Sequence, residues 1–189
     1  MKKWLNVASF DVDAENGFTP LCPHELPVPG GIEIVDELNA QALLGNIRVC
    51  SKDAHPLNPL WKATKKNPIL SKIDKGPNMD VCWPLHCVVG TYGFQLIKGL
   101  PSINDGYHFV VYKGLERDFH PYGACYHDLN EQISTGVIEF LRQNSIDTIL
   151  IGGLATEYCV KTTALQLREA GFIVIVNLAA CRGIDQKAI

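Results

Sequence analysis

The sequence contains no long basic segment, no long apolar segment and no paired cysteine motif, and each absence excludes a class of protein. Lys and Arg together number 17 against 20 Asp and Glu, and the net charge of −3 argues against a nucleic-acid partner. The apolar run at residues 4–10 is much shorter than the roughly 20 residues that cross a bilayer, so we expect no secretory or transmembrane segment and no membrane partner. The seven cysteines are odd in number and lack CxxC spacing, which is typical of reduced thiols in a cytoplasmic protein.

The order of the predicted elements indicates the fold class. Short apolar runs alternate with helical periods, which favours an α/β fold with a parallel β-sheet sandwiched by helices, a Rossmann-like arrangement of three layers. The chain length fits a single domain, 1–189, in which the weakly periodic residues 53–105, with much Pro, Gly and Lys, are interpreted as a functional loop region. The predicted strands are 4–12, 47–51, 108–112, 148–151 and 173–176, and the predicted helices are 32–44, 129–143 and 157–170.

Cys159 lies in the stretch GGLATEYCVKTTAL, directly behind a predicted strand and in the first turn of the predicted helix 157–170. The unpaired backbone N–H groups and the positive end of the helix dipole at this position favour a thiolate and can hydrogen-bond an oxyanion. A cysteine nucleophile that attacks a carbonyl carbon needs both. The alternative interpretation is that Cys159 is a small buried apolar side chain, which is the usual role of a free cysteine.

Ionisable side chains lie at or just after the ends of the first three predicted strands, in FDVDAENGF, SKDAHPLN and VVYKG: Asp11, Asp13, Glu15, Asp53, His55 and Lys113. Because the carboxyl ends of parallel strands meet at one edge of a sheet, we expect these groups to converge with Cys159. Taken singly, each has an ordinary alternative, such as an aspartate that ends a strand or a solvated turn lysine. Their common position at the strand ends favours a functional site.

Five motifs, taken together, resemble the nicotinamidase branch of the isochorismatase-like cysteine hydrolases: VDAENGF, SKDAHP, WPLHCVVGT, YKG and GLATEYCVKTTAL. Their order and approximate spacing hold over residues 4–185. The second and third motifs favour nicotinamidases over isochorismatases and carbamoylsarcosine-type amidases. The resemblance implies an isochorismatase-like fold and a cytoplasmic, homo-oligomeric enzyme that converts nicotinamide to nicotinate and ammonia in NAD salvage. The alternatives are a hydrolase of another small amide and a non-catalytic member that only binds a ligand.

The resemblance also implies roles for individual residues. Asp13, five residues before Phe18, corresponds to the catalytic base, Lys113 to the catalytic lysine and Cys159 to the nucleophile. The implied mechanism passes through a cysteine thioester, with Asp13 as proton acceptor and donor. We expect Lys113 and the helix terminus to lower the pKa of the thiol, and burial to raise the pKa of Asp13.

Further residues of the pocket follow from the same resemblance. A cis peptide bond between Leu154 and Ala155 is implied, with the N–H groups of Ala155 and Cys159 directed at the oxyanion. The implied aromatic substrate contacts are Phe18, Trp83 and Tyr122.

The metal site is where the sequence departs from the family pattern. The resemblance implies that Asp53, His55 and His86 bind a divalent ion, with zinc as the first choice and iron or manganese as alternatives. Where nicotinamidases usually have a further histidine, this chain has Asn58 and Pro59. The sequence leaves three candidates for a fourth ligand: Asn58, Asp74 and Asp80. It assigns no role to three other histidines: His108, His120 and His127.

Overall fold

A computed structural model describes residues 6–74 and 76–185, and its centre is one five-stranded sheet. The strands are β1 (Val7–Val12), β2 (Ile47–Asp53), β3 (Phe109–Lys113), β4 (Thr148–Leu154) and β5 (Ile173–Arg182). Their order in the sheet is β3-β2-β1-β4-β5, and every neighbouring pair is parallel. The α/β prediction with a parallel sheet is thereby confirmed. Trp4 and Leu5, part of the predicted first strand, lie outside the described residues.

The helices cover both faces of the sheet. They are α1 (Val35–Ala42), α2 (Ile103–Gly106), α3 (Val137–Gln143) and α4 (Lys161–Glu169), with 3₁₀ turns at Asn16–Phe18 and Gly31–Ile34 and a π-helical turn at Thr156–Val160. On one face, Phe10 and Ile151 pack with Leu141 of α3 and Leu167 of α4. Leu38 of α1 belongs to a second buried cluster on the opposite face. No helix among the described residues is long and apolar enough to cross a membrane.

The predicted helix 129–143 is wrong in its first half, because only Val137–Gln143 is helical. The Asp128 carboxylate accepts hydrogen bonds from the backbone N–H groups of Gln132 and Ile133, at 2.9 and 2.7 Å. Gly136 then has a φ of 85°, outside the helical region. A side chain that binds nearby backbone N–H groups stabilises a turn in place of a helix, and apolar periodicity does not report this competition.

Gly153 packs its backbone directly against the end of β1. It is paired with Val12 in the sheet and has a φ of 141°, which side chains rarely adopt. A Cβ atom at this position would collide with the backbone carbonyl of Val12. The glycine therefore allows β4 to bring the turn that carries Cys159 close to the end of β1.

Replacement of this glycine should be severely destabilising. Gly153→Ala is expected to lower the free energy of unfolding by about 3 kcal/mol or more, because the left-handed strain and the backbone collision add. Gly171→Ala is the matched control, since Gly171 has a φ of 96° but no atom within 4 Å of the added Cβ, and it should cost about 1 to 2 kcal/mol. Urea denaturation followed by circular dichroism measures both. Equal losses in the two variants would contradict the role assigned to the Val12 contact.

Candidate active site

A buried lysine joins the ends of three strands. The Lys113 Nζ atom lies 2.8 Å from Asp13 Oδ2, 2.6 Å from Asp53 Oδ1 and 3.7 Å from Cys159 Sγ. All four side chains are buried. Asp13 follows β1, Asp53 and Lys113 end β2 and β3, and Cys159 lies in the turn after β4. The structure thus brings together the residues that the sequence singled out at separate strand ends.

Local geometry directs Asp13 toward Lys113. Asp13 has a φ of 45°, which turns the chain sharply at the end of β1. Its N–H donates to the carbonyl of Ser51 at 3.1 Å, and the Ser51 hydroxyl donates to Asp13 Oδ1 at 2.6 Å. Asp11, the neighbouring carboxylate, is absent from this contact set and instead pairs with Arg48 at 2.6 Å. The arrangement leaves Asp13 Oδ2 to face the ammonium.

The electrostatics of the four groups are set by burial and by the single ammonium. Burial raises the pKa of Asp13 above its usual value, although Lys113 opposes the shift. Burial alone would raise the pKa of Asp53, but Lys113 and His55 hold it well below its ordinary value. Burial would lower the pKa of Lys113, but Asp13 and Asp53 raise it well above its usual range. The site therefore holds a permanent cation between one firmly ionised carboxylate and one that binds a proton more readily.

The expected depression of the thiol pKa is not what the structure shows. Burial raises the pKa of Cys159 well above its ordinary value, and the Lys113 ammonium, which lowers it, does not overcome burial and the two nearby carboxylates. The sequence pattern identified the favourable partner but carried no information on the depth of burial. The resting thiol is thus neutral, while the raised pKa expected for Asp13 is confirmed.

Asp53, His55 and His86 also come together, as the sequence predicted for a metal site. Asp53 Oδ2 lies 3.4 Å from Nε2 of both histidines. The Nδ1 atoms lie 3.2 Å from the carbonyl of Gly114 for His55 and 2.6 Å from that of Pro84 for His86. If each Nδ1 donates to its carbonyl, both Nε2 lone pairs face the carboxylate. Two nitrogen lone pairs and a carboxylate oxygen would then face one another at 3.4 Å, an arrangement that a cation between them would stabilise. These residues therefore fit a divalent ion.

Sequence reasoning missed His120. It is buried, and the metal-binding nitrogens of His55, His86 and His120 lie within 4.8 Å of one another. Burial, followed by the charges of His55 and His86, lowers the pKa of His120 well below its usual value, so its imidazole is neutral. His120 follows Lys113 by seven residues without a recognisable ligand spacing, so no signal in the sequence distinguished it from His108 or His127.

The structure offers no support for the three residues that the sequence left open as a fourth ligand. Asn58 is exposed, and its carbonyl accepts a hydrogen bond from Arg117. Asp74 is 82% exposed and lies beside Lys72. Asp80 accepts a hydrogen bond from the Tyr122 hydroxyl at 2.8 Å.

A pocket opens over this centre and contains the aromatic residues expected from the sequence. Tyr122 is held at its wall by Trp83, whose Nε1–H donates to the Tyr122 hydroxyl at 3.1 Å. The peptide bond between Leu154 and Ala155 is cis, as the motif resemblance implied. The residues that line the pocket and were expected from the sequence are Phe18, Asp53, Trp83, His86, Tyr122, Ala155 and Cys159. The lining residues that the sequence analysis missed are Leu26, His120, Tyr158 and Ile184.

Removal of the buried ammonium tests the electrostatic arrangement. Lys113→Met should lower the free energy of unfolding at pH 7 by about 3 to 5 kcal/mol, because Asp13 and Asp53 would be left buried without their cation. Burial would then raise both carboxyl pKa values above those of the unfolded chain, so the variant should lose stability as the pH rises above about 4. Urea denaturation between pH 4 and 7 measures this dependence.

Lys161→Met is the control for that substitution, because Lys161 is an exposed lysine at the start of α4. It should change stability by no more than about 0.5 kcal/mol. A Lys113→Met variant whose stability deficit does not shrink toward pH 4 would contradict the pairing.

Comparisons with known proteins agree with this geometry. The model of the Isochorismatase domain family matches residues 12–188. A nicotinamidase from Acinetobacter baylyi is 34% identical in an alignment 193 residues long, which covers 99% of this chain and 86% of that protein. The structure of an Acinetobacter baumannii nicotinamidase and pyrazinamidase superposes with a TM-score of 0.88 at 30% identity, covering 99% of this chain and 89% of that one. A Pyrococcus horikoshii pyrazinamidase in complex with zinc gives a TM-score of 0.74 at 28% identity, covering 97% and 89%.

Proposed function

Since this chain belongs to the isochorismatase family, we propose that it is an amidohydrolase that converts nicotinamide to nicotinate and ammonia, with Cys159 as its nucleophile. The observation that carries the proposal is the contact set of Lys113, which joins Asp13, Asp53 and Cys159 beneath an aromatic pocket. Flat aromatic walls suit a pyridine ring, and a thiol at the base of the pocket suits attack on its carboxamide. On the basis of the motif resemblance, we also propose that the enzyme is cytoplasmic and homo-oligomeric.

The first half of the reaction begins with proton transfer from Cys159 to Asp13. The transfer moves one negative charge from a carboxylate to a sulfur that lie near the same ammonium, at 2.8 and 3.7 Å, so the net charge of the site is unchanged. This exchange explains how a thiol with a raised pKa can react. The thiolate then attacks the carboxamide carbon, and the N–H groups of Ala155 and Cys159 stabilise the oxyanion.

The second half returns the proton and releases the acid. Asp13 donates its proton to the amide nitrogen, the carbon–nitrogen bond breaks, and ammonia leaves a thioester on Cys159. Asp13 then accepts a proton from a water molecule that attacks the thioester, and it passes this proton to the Cys159 sulfur as the carbon–sulfur bond breaks, which frees nicotinate and restores both the thiol and the carboxylate. The raised pKa of Asp13 suits a group that must accept and donate a proton twice in one cycle.

A divalent ion at Asp53, His55 and His86 completes the proposed enzyme. When bound, such an ion supplies a Lewis acid that can hold the ring nitrogen of the substrate. Zinc is the proposed metal, and the zinc-bound pyrazinamidase relative supports it, with iron and manganese as alternatives. Asp53 would connect the two parts of the site, since Oδ1 contacts Lys113 and Oδ2 faces both histidines.

Removal of the nucleophile tests the reaction. Cys159→Ala should lower ammonia release from nicotinamide by at least about 1,000-fold while nicotinamide binding, measured by calorimetry, is retained. Cys22→Ala is the matched control, because Cys22 is a buried cysteine outside the pocket, and it should keep full turnover. Wild-type turnover in Cys159→Ala would overturn the proposal. A wild-type protein that releases ammonia only from another small amide would correct the substrate.

A second measurement tests the metal through the substrate ring. Chelation should abolish nicotinamide turnover, and zinc, iron or manganese should restore it, with zinc-saturated chelator as the control. Benzamide lacks the ring nitrogen, so its KM should exceed that of nicotinamide by about tenfold, the equivalent of one contact of about 1.4 kcal/mol. His86→Asn should reduce this difference. Turnover that is indifferent to chelation would contradict a required metal.

A further inference from the structure

We propose that His120 is a fourth protein ligand of the divalent ion bound by Asp53, His55 and His86, an inference that rests on the metal site of the proposed function. The chain would then hold its metal with three imidazoles and one carboxylate. This ligand would replace, from a distant segment, the histidine that the sequence lacks near Asn58 and Pro59.

The first argument is that the buried His120 imidazole lacks hydrogen-bond partners among the described residues. Within residues 6–74 and 76–185, neither ring nitrogen of His120 has a hydrogen-bond partner, and the side chain is buried. Buried polar groups in folded proteins are almost always satisfied, because an unsatisfied one costs about 1 to 3 kcal/mol. A metal would satisfy one of the two ring nitrogens of His120, in the same way as it would satisfy His55 Nε2, which lies 3.4 Å from Asp53 Oδ2.

The second argument is the grouping of the rings. The His120 ring is stacked on His55 with centroids 5.3 Å apart, and its centroid lies 5.8 Å from that of His86. One nitrogen from each ring lies within 4.8 Å of the other two. Nitrogen ligands at about 2.0 to 2.1 Å from one zinc ion are separated by somewhat less than this, so small side-chain rotations would close the site.

The third argument is that the backbone around His120 is fixed. The indole N–H of Trp61 donates to the carbonyl of Phe119 at 3.1 Å, and the N–H of His120 donates to the carbonyl of Asn78 at 2.8 Å. The Trp61 ring also lies edge-on to His120, with centroids 4.5 Å apart. These contacts hold the imidazole at the pocket wall, beside the expected ligands Asp53 and His86.

A ligand set with three imidazoles has a chemical consequence. Nitrogen donors favour zinc, iron and cobalt over magnesium, which prefers oxygen donors. The ring nitrogen of a substrate would then bind as a fifth ligand, an expansion that zinc tolerates.

Metal binding, measured without any assay of turnover, tests this inference. X-ray absorption of the zinc-loaded wild-type protein should show three imidazole ligands, and the His120→Asn variant should show two. Competition with a chromophoric chelator should show zinc affinity at least about tenfold weaker in His120→Asn. His24→Asn is the matched control, because His24 is exposed and lies outside the site, and its affinity and spectrum should equal those of the wild type.

The outcomes separate this inference from the proposed function. Two imidazoles in the wild-type protein, or unchanged affinity and spectrum in His120→Asn, would overturn the role of His120 and leave the Asp53–His55–His86 site intact. A wild-type protein that binds no divalent ion would overturn both. Three imidazoles in a protein that does not hydrolyse nicotinamide would support His120 and overturn the substrate. The wild-type spectrum decides the question even if His120→Asn does not fold.

Discussion

The ammonium of Lys113 is the charge on which the rest of the site depends. A buried cation is costly unless it is paired, and Lys113 is fully buried with carboxylates at 2.6 and 2.8 Å. These partners come from the ends of two other strands, so the three strand ends have to meet for the charges to balance. The same ammonium lies 3.7 Å from Cys159 Sγ, which places the proposed nucleophile where a negative charge is stabilised.

Asp53 connects the contact set of Lys113 to the histidines that we propose as metal ligands. Its Oδ1 contacts Lys113, and its Oδ2 lies 3.4 Å from His55 and His86. The Glu15 carboxylate fixes the backbone at this residue, because it accepts a hydrogen bond from the Asp53 N–H at 2.7 Å. One side chain thus contacts both the lysine and the two histidines.

The agreement between sequence and structure differs from element to element for physical reasons. Strand β4 was identified because its apolar, β-branched run is too short for a helix and is typical of a buried strand. The helix predicted at 129–143 was half wrong, because the side chain of Asp128 binds the backbone N–H groups that a helix would use. The predicted fall in the pKa of Cys159 was also wrong in direction. Burial, which is a property of the folded chain, raises this pKa and outweighs the neighbouring ammonium.

The sequence by itself determined which chemical groups follow each strand: Asp13, Asp53, Lys113 and Cys159 were recognisable because parallel strands deliver their carboxyl ends to one edge. Their motifs also indicated the family that the comparisons show. Only the tertiary structure decided the environment of these groups and the presence of His120 among them. His55, His86 and His120 come from segments separated by more than 30 residues, and no periodicity links such segments. Their convergence arises from how loops pack around Trp61, which local sequence does not encode.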